Sequence, residues 1–411
     1  MHDCERSMTL EHFIPLRKAD LVRLLRDDAA LPLQEREQFD QFCELVAATI
    51  HHDYHGRLED LKEAYAAFDP DADPRPRVEP TPAEREELAG ELFARFESLL
   101  ERANYRRLSR EDLEQALRAT SVGGVNLTVD FKIFERLEVF VRGESTGCRT
   151  RRRWLKLLRS EEVPVPTYDR LALIFRLRPV SGAAPKLDAN SVALKLFKSI
   201  PKEDVEMLLP GSQVRMTLLD RGRILLPTVS GLTLTAVKLL QGAATLALAT
   251  MNELLGFLGL VGGAVGYGIK SFFGYLRTKD KYTLTLTRSL YYQNLDNNAG
   301  VLFRLLDEAE EQEFREAVLA WSLLHRCSSR GATEQELDQQ AEAWLRERCS
   351  LTVDFEIADA LGKLGRMNLA HHSADRWHAV SLPAALETLD RAWDECFAFN
   401  KSALLPMRRA A

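Results

Sequence analysis

The chain has 411 residues, a formal net charge of −6 and 45% hydrophobic residues, which excludes a largely disordered protein and fits two or three domains of roughly 150 residues each. Charged residues make up 28% of it, a share that argues against a polytopic transporter. Six cysteines without a C-x-x-C pair argue against a zinc ribbon and a disulfide scaffold, so free thiols are expected.

The first region, residues 1–126, is predicted to be helical. Apolar residues recur at steps of three and four between Phe39 and Phe68, which places one apolar stripe on a long helix. A proline-rich linker at 69–82 follows, and Thr81 with Glu84 forms the capping-box signature of the next helix. The N-terminus carries acidic residues and no apolar run, so neither a secretory signal nor a mitochondrial presequence is predicted.

The second region, residues 127–288, is predicted to be an antiparallel β domain. Short segments rich in β-forming residues, such as 136–141 and 168–177, follow one another without long helices, which favours antiparallel over parallel pairing. This region has a net charge of +11, whereas residues 1–126 have −10 and residues 289–411 have −7.

Residues 231–276 interrupt the β domain with an apolar stretch that holds three charged residues. As a single helix it would measure about 69 Å against about 30 Å of bilayer hydrocarbon, so a hairpin of two transmembrane helices is expected. The alternative is a helical hairpin buried in a soluble core. Glycines at spacings that let membrane helices pack closely are Gly259, Gly262, Gly263 and Gly266.

Basic residues cluster on the β domain and beside the predicted hairpin, at Arg149, Arg151, Arg152, Arg153, Arg277, Lys279 and Lys281. Basic side chains near a bilayer bind anionic headgroups, at about 1 kcal/mol per charge. A solvated edge of the sheet is the alternative. By the positive-inside rule, both flanks of the hairpin and the soluble domains attached to them are expected in the cytoplasm.

The third region, residues 289–411, is predicted to contain three helices, a short hairpin and a closing helix, which is the outline of a winged-helix domain. Thr333 and Glu336 form a second capping box, and Asp354 is expected to cap the third helix. Because the region is acidic, nucleic-acid binding is not expected, since such binding neutralises phosphates. A role in contacts with proteins or in packing within the chain is expected instead.

One weak candidate for a metal site is present. His51, His55 and Glu59 follow at intervals of four and would share one helix face, although a plain surface histidine pair is the commoner explanation. No catalytic or cofactor-binding motif is present, so neither a cofactor nor an enzymatic activity is expected.

A family resemblance rests on three segments: EHFIPL at 11–16, IPKEDVEMLLPG at 200–211 and SLYYQNLDNN at 289–298. Together they resemble domain-of-unknown-function family 3754, which includes transmembrane protein 143 of mitochondria. The resemblance implies an integral membrane protein with paired membrane helices, no assigned activity and no site residues to transfer. Without a presequence, a bacterial inner membrane is favoured over the mitochondrial one.

The last of these segments ends in three residues that favour caps and turns: Asp296, Asn297 and Asn298. They form either a helix-entry turn or a functional loop at the membrane surface, and the sequence leaves both interpretations open.

The expected fold class is α+β, with a helical N-terminal region, a central antiparallel sheet holding the membrane hairpin, and a winged-helix-like domain. The leading hypothesis for function is a non-enzymatic, membrane-anchored scaffold or regulatory protein that presents acidic helical surfaces to protein partners. The second is an oligomeric pore or lipid-handling protein built from the glycine-rich hairpins, and the third is an enzyme without a linear motif. The expected partners are the lipid bilayer, unidentified proteins and further copies of the chain.

Overall fold

Three helices, a run of strands and a second group of helices with a short hairpin follow one another in the computed structural model. The model describes residues 11–28, 33–72, 80–109, 111–113, 126–128, 130–152, 160–178, 190–210, 213–215, 266, 270, 273, 291–327 and 330–396. The chain divides into two compact units. The first is assembled from Met1–Leu108, Phe134–Ser199 and Leu295–Ala411, and the second from Ser109–Ile133 and Ile200–Asn294.

The helices of the first unit are α1 (Lys18–Asp28), α2 (Leu33–Ala66), α3 (Pro82–Arg102), α4 (Ala299–Arg326), α5 (Glu334–Cys349), α6 (Ile357–Arg366) and α7 (Leu382–Cys396). The long helix predicted from the apolar repeat is confirmed by α2. Both predicted capping boxes are formed, Thr81 with Glu84 before α3 and Thr333 with Glu336 before α5.

The described strands are β1 (Arg106–Arg107), β2 (Asn126–Thr128), β3 (Phe134–Arg152), β4 (Ser160–Leu177), β5 (Val192–Pro201), β6 (Gln213–Arg215), β7 (Asn294–Asn297), β8 (Ala370–Ser373) and β9 (Arg376–Ala379). Five of them form one sheet in the order β1–β3–β4–β5–β7, in which β3 pairs antiparallel with both β1 and β4. The predicted segment 136–141 lies within the much longer strand β3, which stays in one ladder with β4 through Gly147, opposite Val165.

Helix α4 provides the core of the first unit, where it packs against α1, α2, α3, α5 and α6. Its residues 312–324 are all buried, polar and apolar alike. The indole of Trp321 lies against the ring of Phe42 on α2, with 4.2 Å between the ring centroids. A helix that is buried on every side is a core element, so the other helices are arranged around it.

After α4, the first unit follows the predicted order of two further helices, the hairpin β8–β9 and the closing helix α7. The predicted cap is wrong, because α6 begins after Glu356 without a side-chain cap. Asp354 instead donates its backbone N–H to the carbonyl of Glu11 at 3.0 Å. A parallel bridge between Glu11 and Val353 holds the two segments side by side.

The second unit is described over shorter stretches. Its strands β2 and β6 pair antiparallel, with Leu127 opposite Val214. Two 3-10 helices, Phe131–Ile133 and Lys202–Leu208, complete the described elements of this unit.

The predicted fold class is wrong in its membrane hairpin at 231–276. Among the described residues, no helix is long and apolar enough to cross a membrane, so the fold class that the structure supports is a mixed helix-and-sheet architecture. The prediction rested on apolar composition, which is shared by membrane helices and by helices buried in protein. Within the segment itself, Gly266, Lys270 and Phe273 are described as helical, and its other residues lie outside the described part.

Candidate functional site

A row of polar side chains on α4, which the sequence analysis missed, lies inside the first unit. We call it the α4 network; its members are the half-buried Glu308 and the buried Gln312, Glu313, Arg315 and Glu316. Residues spaced by four on a helix share a face, so 308, 312 and 316 point the same way. A buried charge costs several kcal/mol unless a counter-charge and hydrogen bonds accompany it. The residues that pair with each charged side chain of the network therefore determine whether it stabilises the fold.

Glu316 is paired with Lys363 of α6, with 2.6 Å between the carboxylate and the ammonium, and both side chains are buried. Gln312 donates to the same carboxylate at 2.7 Å. Burial alone would lower the pKa of Lys363, but the carboxylates of Glu316, Glu313 and Asp359 raise it above its usual value. The lysine therefore stays charged and ties α6 to α4.

Glu313 and Glu308 are neutralised by arginines from other elements. Arg102 at the end of α3 donates to Glu313 at 3.0 Å, and the guanidinium of Arg142 in β3 lies 2.9 Å from Glu308. Tyr105 donates its hydroxyl to Glu308 at 2.9 Å. Burial raises the pKa of Tyr105, so the hydroxyl keeps its proton and acts as a donor.

Residues 11–16, which we call the entry segment, cross the α4 network. The backbone N–H of Ile14 donates to the amide oxygen of Gln312 at 3.3 Å. Arg315 donates to the carbonyl of Leu16 at 2.6 Å. The buried polar groups of α4 are therefore satisfied partly by the backbone of the EHFIPL segment, which explains why that segment lies where it does.

Two side chains of the entry segment reach further. The ring of Phe13 lies under the guanidinium of Arg142, 3.9 Å from the ring centroid, in a cation–π contact. The carboxylate of Glu11 accepts the backbone N–H of Glu144 in β3 at 2.5 Å, and burial raises the pKa of Glu11. The entry segment thus joins the sheet to α4.

The predicted loop at Asp296, Asn297 and Asn298 forms the end of β7 and the start of α4. Asn298 has a φ of 50°; its amide oxygen accepts the N–H of Leu194 in β5 at 3.4 Å, and its amide nitrogen donates to Asp71 at 2.5 Å. This geometry is that of a helix-entry turn. The functional-loop interpretation stays a prediction.

The three residues of the candidate metal site on α2 have separate surroundings. His51 lies 2.9 Å from Glu310 of α4, and Glu59 accepts a hydrogen bond from Lys62, which lowers the pKa of Glu59. His55 is exposed. Among the described residues, no group of three or more His, Cys, Asp or Glu side chains could hold a metal ion, so the metal hypothesis is not carried further.

The remaining predicted site residues fall mostly outside the described part. Arg149, Arg151 and Arg152 lie at the end of β3, and Gly266 is helical and exposed. Outside the described residues are Gly259, Gly262, Gly263, Arg153, Arg277, Lys279 and Lys281.

A groove of about 610 Å³ lies between α2 and α7. We call it the acidic groove; it is lined by the carboxylates of Glu44, Glu387 and Asp390 and by the apolar side chains of Leu45, Leu386 and Trp393. The three carboxylates are exposed, and no hydrogen bond or ion pair joins them to a described residue. The indole of Trp393 is 39% exposed. Neither the α4 network nor this groove was recognised from the sequence.

Both helices of the acidic groove are held by buried contacts on the side that faces away from the groove. The buried face of α2 packs on α4 through contacts such as that of Phe42 with Trp321, and α7 is anchored by the buried side chains of Leu382, Ala385 and Leu389. The groove therefore lies between two helices that are both packed on other parts of the first unit, so a ligand would meet a surface that is already formed.

Residues 168–300 match the model of a family described as a protein of unknown function, DUF3754. The predicted resemblance to the DUF3754 family is confirmed. The matched segment runs from β4 to the first residues of α4, and it includes the turn at Asn298. The family match says nothing about transmembrane protein 143 in particular, so the predicted resemblance to that protein stays a prediction. No solved structure matches the chain.

Proposed function

We propose that this protein is a protein-interaction module whose acidic groove binds a basic, amphipathic helical segment of another protein. The observation that supports this most is the combination, in one groove, of three carboxylates without a counter-charge among the described residues and an exposed tryptophan. The proposal keeps the scaffold hypothesis but not its membrane anchor, because the predicted membrane hairpin is wrong.

Charge complementarity selects a basic partner. The carboxylates of Glu44, Glu387 and Asp390 border one groove, and like charges that lack a counter-charge create a negative potential that a lysine or arginine would relieve. Helix α7 as a whole has four acidic residues and one basic residue, Arg391. An acidic partner would be repelled from this surface.

The apolar lining selects an amphipathic partner. Leu45 and Leu386 are half-buried on the two helices, and Trp393 is exposed beside them. An amphipathic helix places apolar side chains at intervals of three and four into such a groove while its basic face reaches the carboxylates. Tryptophan is enriched among residues that contribute most to binding energy, so we expect Trp393 to be the anchor.

A nucleic-acid partner is not part of the proposal. Helix α6 has two basic residues, Lys363 and Arg366, and Lys363 is buried against Glu316. Binding to phosphates needs exposed cations. The pore or lipid-handling alternative depended on the withdrawn hairpin, and within the described residues no arrangement favours an enzyme.

The test uses the full chain and a fluorescein-labelled helical peptide with one lysine face and one leucine face as the probe. Anisotropy titration is expected to give a dissociation constant that rises with salt, because exposed charges are screened. Trp393→Ala and Glu387→Lys are each expected to weaken binding about tenfold or more. Glu347→Lys, on the exposed surface of α5, makes the same charge change outside the groove and is expected to leave binding unchanged.

Two outcomes would overturn the proposal. In one, a control peptide with glutamate in place of lysine binds as tightly as the probe. In the other, Glu347→Lys weakens binding as much as Glu387→Lys does, which would mean that the peptide responds to net charge and not to the groove.

A further inference from the structure

Three arginines of the first unit converge on the single carboxylate of Glu308. Arg142 of β3 lies closest, with 2.9 Å between its guanidinium and one carboxylate oxygen. The Nε atoms of Arg170 in β4 and Arg304 in α4 lie 3.7 Å and 3.9 Å from the other oxygen, which is too far for a hydrogen bond. Three positive charges therefore share one negative charge.

Arg142 takes most of the compensation that Glu308 provides. Its side chain is buried, and its guanidinium lies over the ring of Tyr105, 4.6 Å from the centroid. Tyr105 donates its hydroxyl to the same carboxylate oxygen that Arg142 contacts. Arg170 and Arg304 are left with the more distant oxygen, so their charges are the excess.

The β3–β4 ladder places Arg142 and Arg170 directly opposite each other. Residues opposed in this way share one face of the sheet, and like charges there repel each other. The Nε atoms of Arg170 and Arg304 are buried without a hydrogen-bond acceptor, while their side chains are 31% and 40% exposed. Other atoms of both side chains are therefore open to a ligand.

The carboxylates that neighbour Arg170 along the two strands are directed elsewhere. Asp169 precedes Arg170 in β4, but successive side chains of a strand point to opposite faces, and Asp169 accepts the hydroxyl of Ser145 at 2.5 Å. Glu144 shares the face of Arg170 and is paired with Arg106 at 3.2 Å. Neither carboxylate forms an ion pair with Arg170.

Two further carboxylates leave the excess in place. The charge of Glu11 attracts Arg142, but its carboxylate accepts the backbone N–H of Glu144. Asp307 is exposed on α4. Within the described part of the chain, Glu308 is the one carboxylate that forms an ion pair with Arg170 or Arg304.

We propose that Arg170 and Arg304 bind the terminal phosphate group of an anionic ligand. Guanidinium groups pair with phosphate oxygens through parallel hydrogen bonds, and a terminal phosphate brings up to two negative charges and enough oxygens for both arginines. The chain as a whole has a net charge of −6, so an anion is attracted by this local excess and not by the molecule in general. The inference does not depend on the proposed function, since the acidic groove is a different surface.

The test adds inorganic pyrophosphate to the full chain in buffer without divalent cations and measures the dissociation constant by isothermal titration calorimetry. Arg170→Gln and Arg304→Gln are each expected to weaken binding about tenfold or more, because each removes charge-assisted hydrogen bonds to the phosphate. Arg346→Gln removes an exposed guanidinium from α5, makes the same charge change elsewhere and is expected to leave binding unchanged.

Thermal unfolding without pyrophosphate separates a binding role from a structural one. Because Arg170 faces Arg142, Arg170→Gln is expected to leave the midpoint of unfolding unchanged or to raise it, since a repulsion is removed. A clearly lower midpoint would mean that Arg170 serves the fold by neutralising Glu308, and it would overturn the proposal.

A flotation assay identifies the source of the phosphate group. If the ligand is a lipid headgroup, the chain is expected to float with phosphatidylcholine vesicles that contain phosphatidic acid but not with pure phosphatidylcholine, and pyrophosphate should release it. If the ligand is soluble, pyrophosphate binds and the chain floats with neither. The proposal is overturned if pyrophosphate does not bind, or if Arg346→Gln weakens binding as much as Arg304→Gln does.

Discussion

At the scale of single residues, Lys363 shows how the buried charges depend on one another. Its ammonium lies 2.6 Å from Glu316 and 2.7 Å from Asp359, and its side chain is buried. A buried ion pair adds little net stability compared with an apolar pair, but removing one partner leaves an uncompensated charge. Replacing Lys363 and Glu316 together should therefore cost little stability, whereas replacing either one alone should cost much more.

Lys363→Met is expected to lower the free energy of unfolding by about 3–5 kcal/mol, because Glu316 stays buried without its counter-charge. Lys62→Met, which removes an exposed pair with Glu59, is the control and is expected to change stability far less, because water screens exposed charges. Urea denaturation followed by tryptophan fluorescence compares them. Adding Glu316→Gln to Lys363→Met is expected to recover much of the loss. A double variant no more stable than the single one would contradict this account.

Asp28 joins the end of α1 to α4 and α5. It accepts hydrogen bonds from the indole of Trp344 at 2.9 Å and from Arg326 at 2.6 Å, and it forms an ion pair with Arg348. Burial works to raise the pKa of Asp28, but the Trp344 hydrogen bond and the two arginines lower it below its usual value. Such a group stabilises the fold above its unfolded pKa of about 3.9, and this contribution is lost as the pH falls through the folded pKa.

The loss of stability caused by Asp28→Asn is therefore expected to depend on pH. At pH 7 it should lower the free energy of unfolding by about 1.5–3 kcal/mol, the typical value of hydrogen bonds to a charged group. Below about pH 4 the difference from the unaltered chain should shrink, because the aspartate takes up a proton first in the unfolded chain and, at lower pH, in the folded one. Denaturant unfolding at several pH values measures it, and a difference that stays constant with pH would refute the ionic role.

The sequence could not reveal these residues. Between 307 and 316, charges occur all round α4, and a polar position in a helix pattern is ordinarily assigned to solvent. Burial of Glu313 becomes tolerable only through Arg102, which is 211 residues away in the chain. A local pattern contains no information about such a partner.

At the scale of elements, the junction of β5, β7 and α4 depends on Asn298. Its amide bridges β5 and Asp71, and its φ of 50° is one that asparagine tolerates better than most residues. Substitution by glycine separates the two contributions of Asn298 to stability. Glycine adopts the same positive φ without strain but has no side chain to form the hydrogen bonds.

Asn298→Ala is expected to destabilise the protein by about 2–3 kcal/mol, because it loses the hydrogen bonds to β5 and Asp71 and places a β-carbon at positive φ. Asn298→Gly should cost less, by about 1 kcal/mol. Asn297→Ala, an exposed neighbour, is the control and should have little effect. Thermal unfolding compares the three variants, and equal losses for Asn297→Ala and Asn298→Ala would argue against this turn.

Elements defined by neighbouring residues were predicted well. Each capping box needs only four consecutive residues, and the stripe of α2 needs only its own spacing. Elements defined by distant pairing were predicted less well. The continuity of β3 depends on the ladder with β4, and the start of α6 depends on the bridge between Glu11 and Val353. The membrane hairpin was predicted from the apolar composition and the length of one segment, without any knowledge of what surrounds it.

At the scale of the whole molecule, the sequence indicates consecutive regions because charge and composition change near residues 127 and 289. The first compact unit draws instead on three separate stretches of chain. Their common centre is α4, whose counter-charges come from α3, β3 and α6. The predicted boundaries can be tested directly by separating α4 from these partners.

A fragment of residues 289–411 is expected not to fold stably on its own. It lacks Arg102 and Arg142, which neutralise Glu313 and Glu308, and it lacks α2, which covers Trp321. Amide chemical-shift dispersion and binding of an apolar dye, compared with the full chain, measure this. A fragment with dispersed signals and cooperative unfolding would show that the region is an independent domain.

The central place of α4 also has a consequence for synthesis on the ribosome. In chain order α4 follows α2, α3 and the strands β1 to β5, so these elements leave the exit tunnel before the helix that packs against α2 and α3. During that interval their apolar surfaces are uncovered and available to a chaperone, and contacts between distant parts of a chain are the ones that form slowly. The yield of this protein in a cell is therefore expected to depend on chaperone supply more than its final stability would suggest.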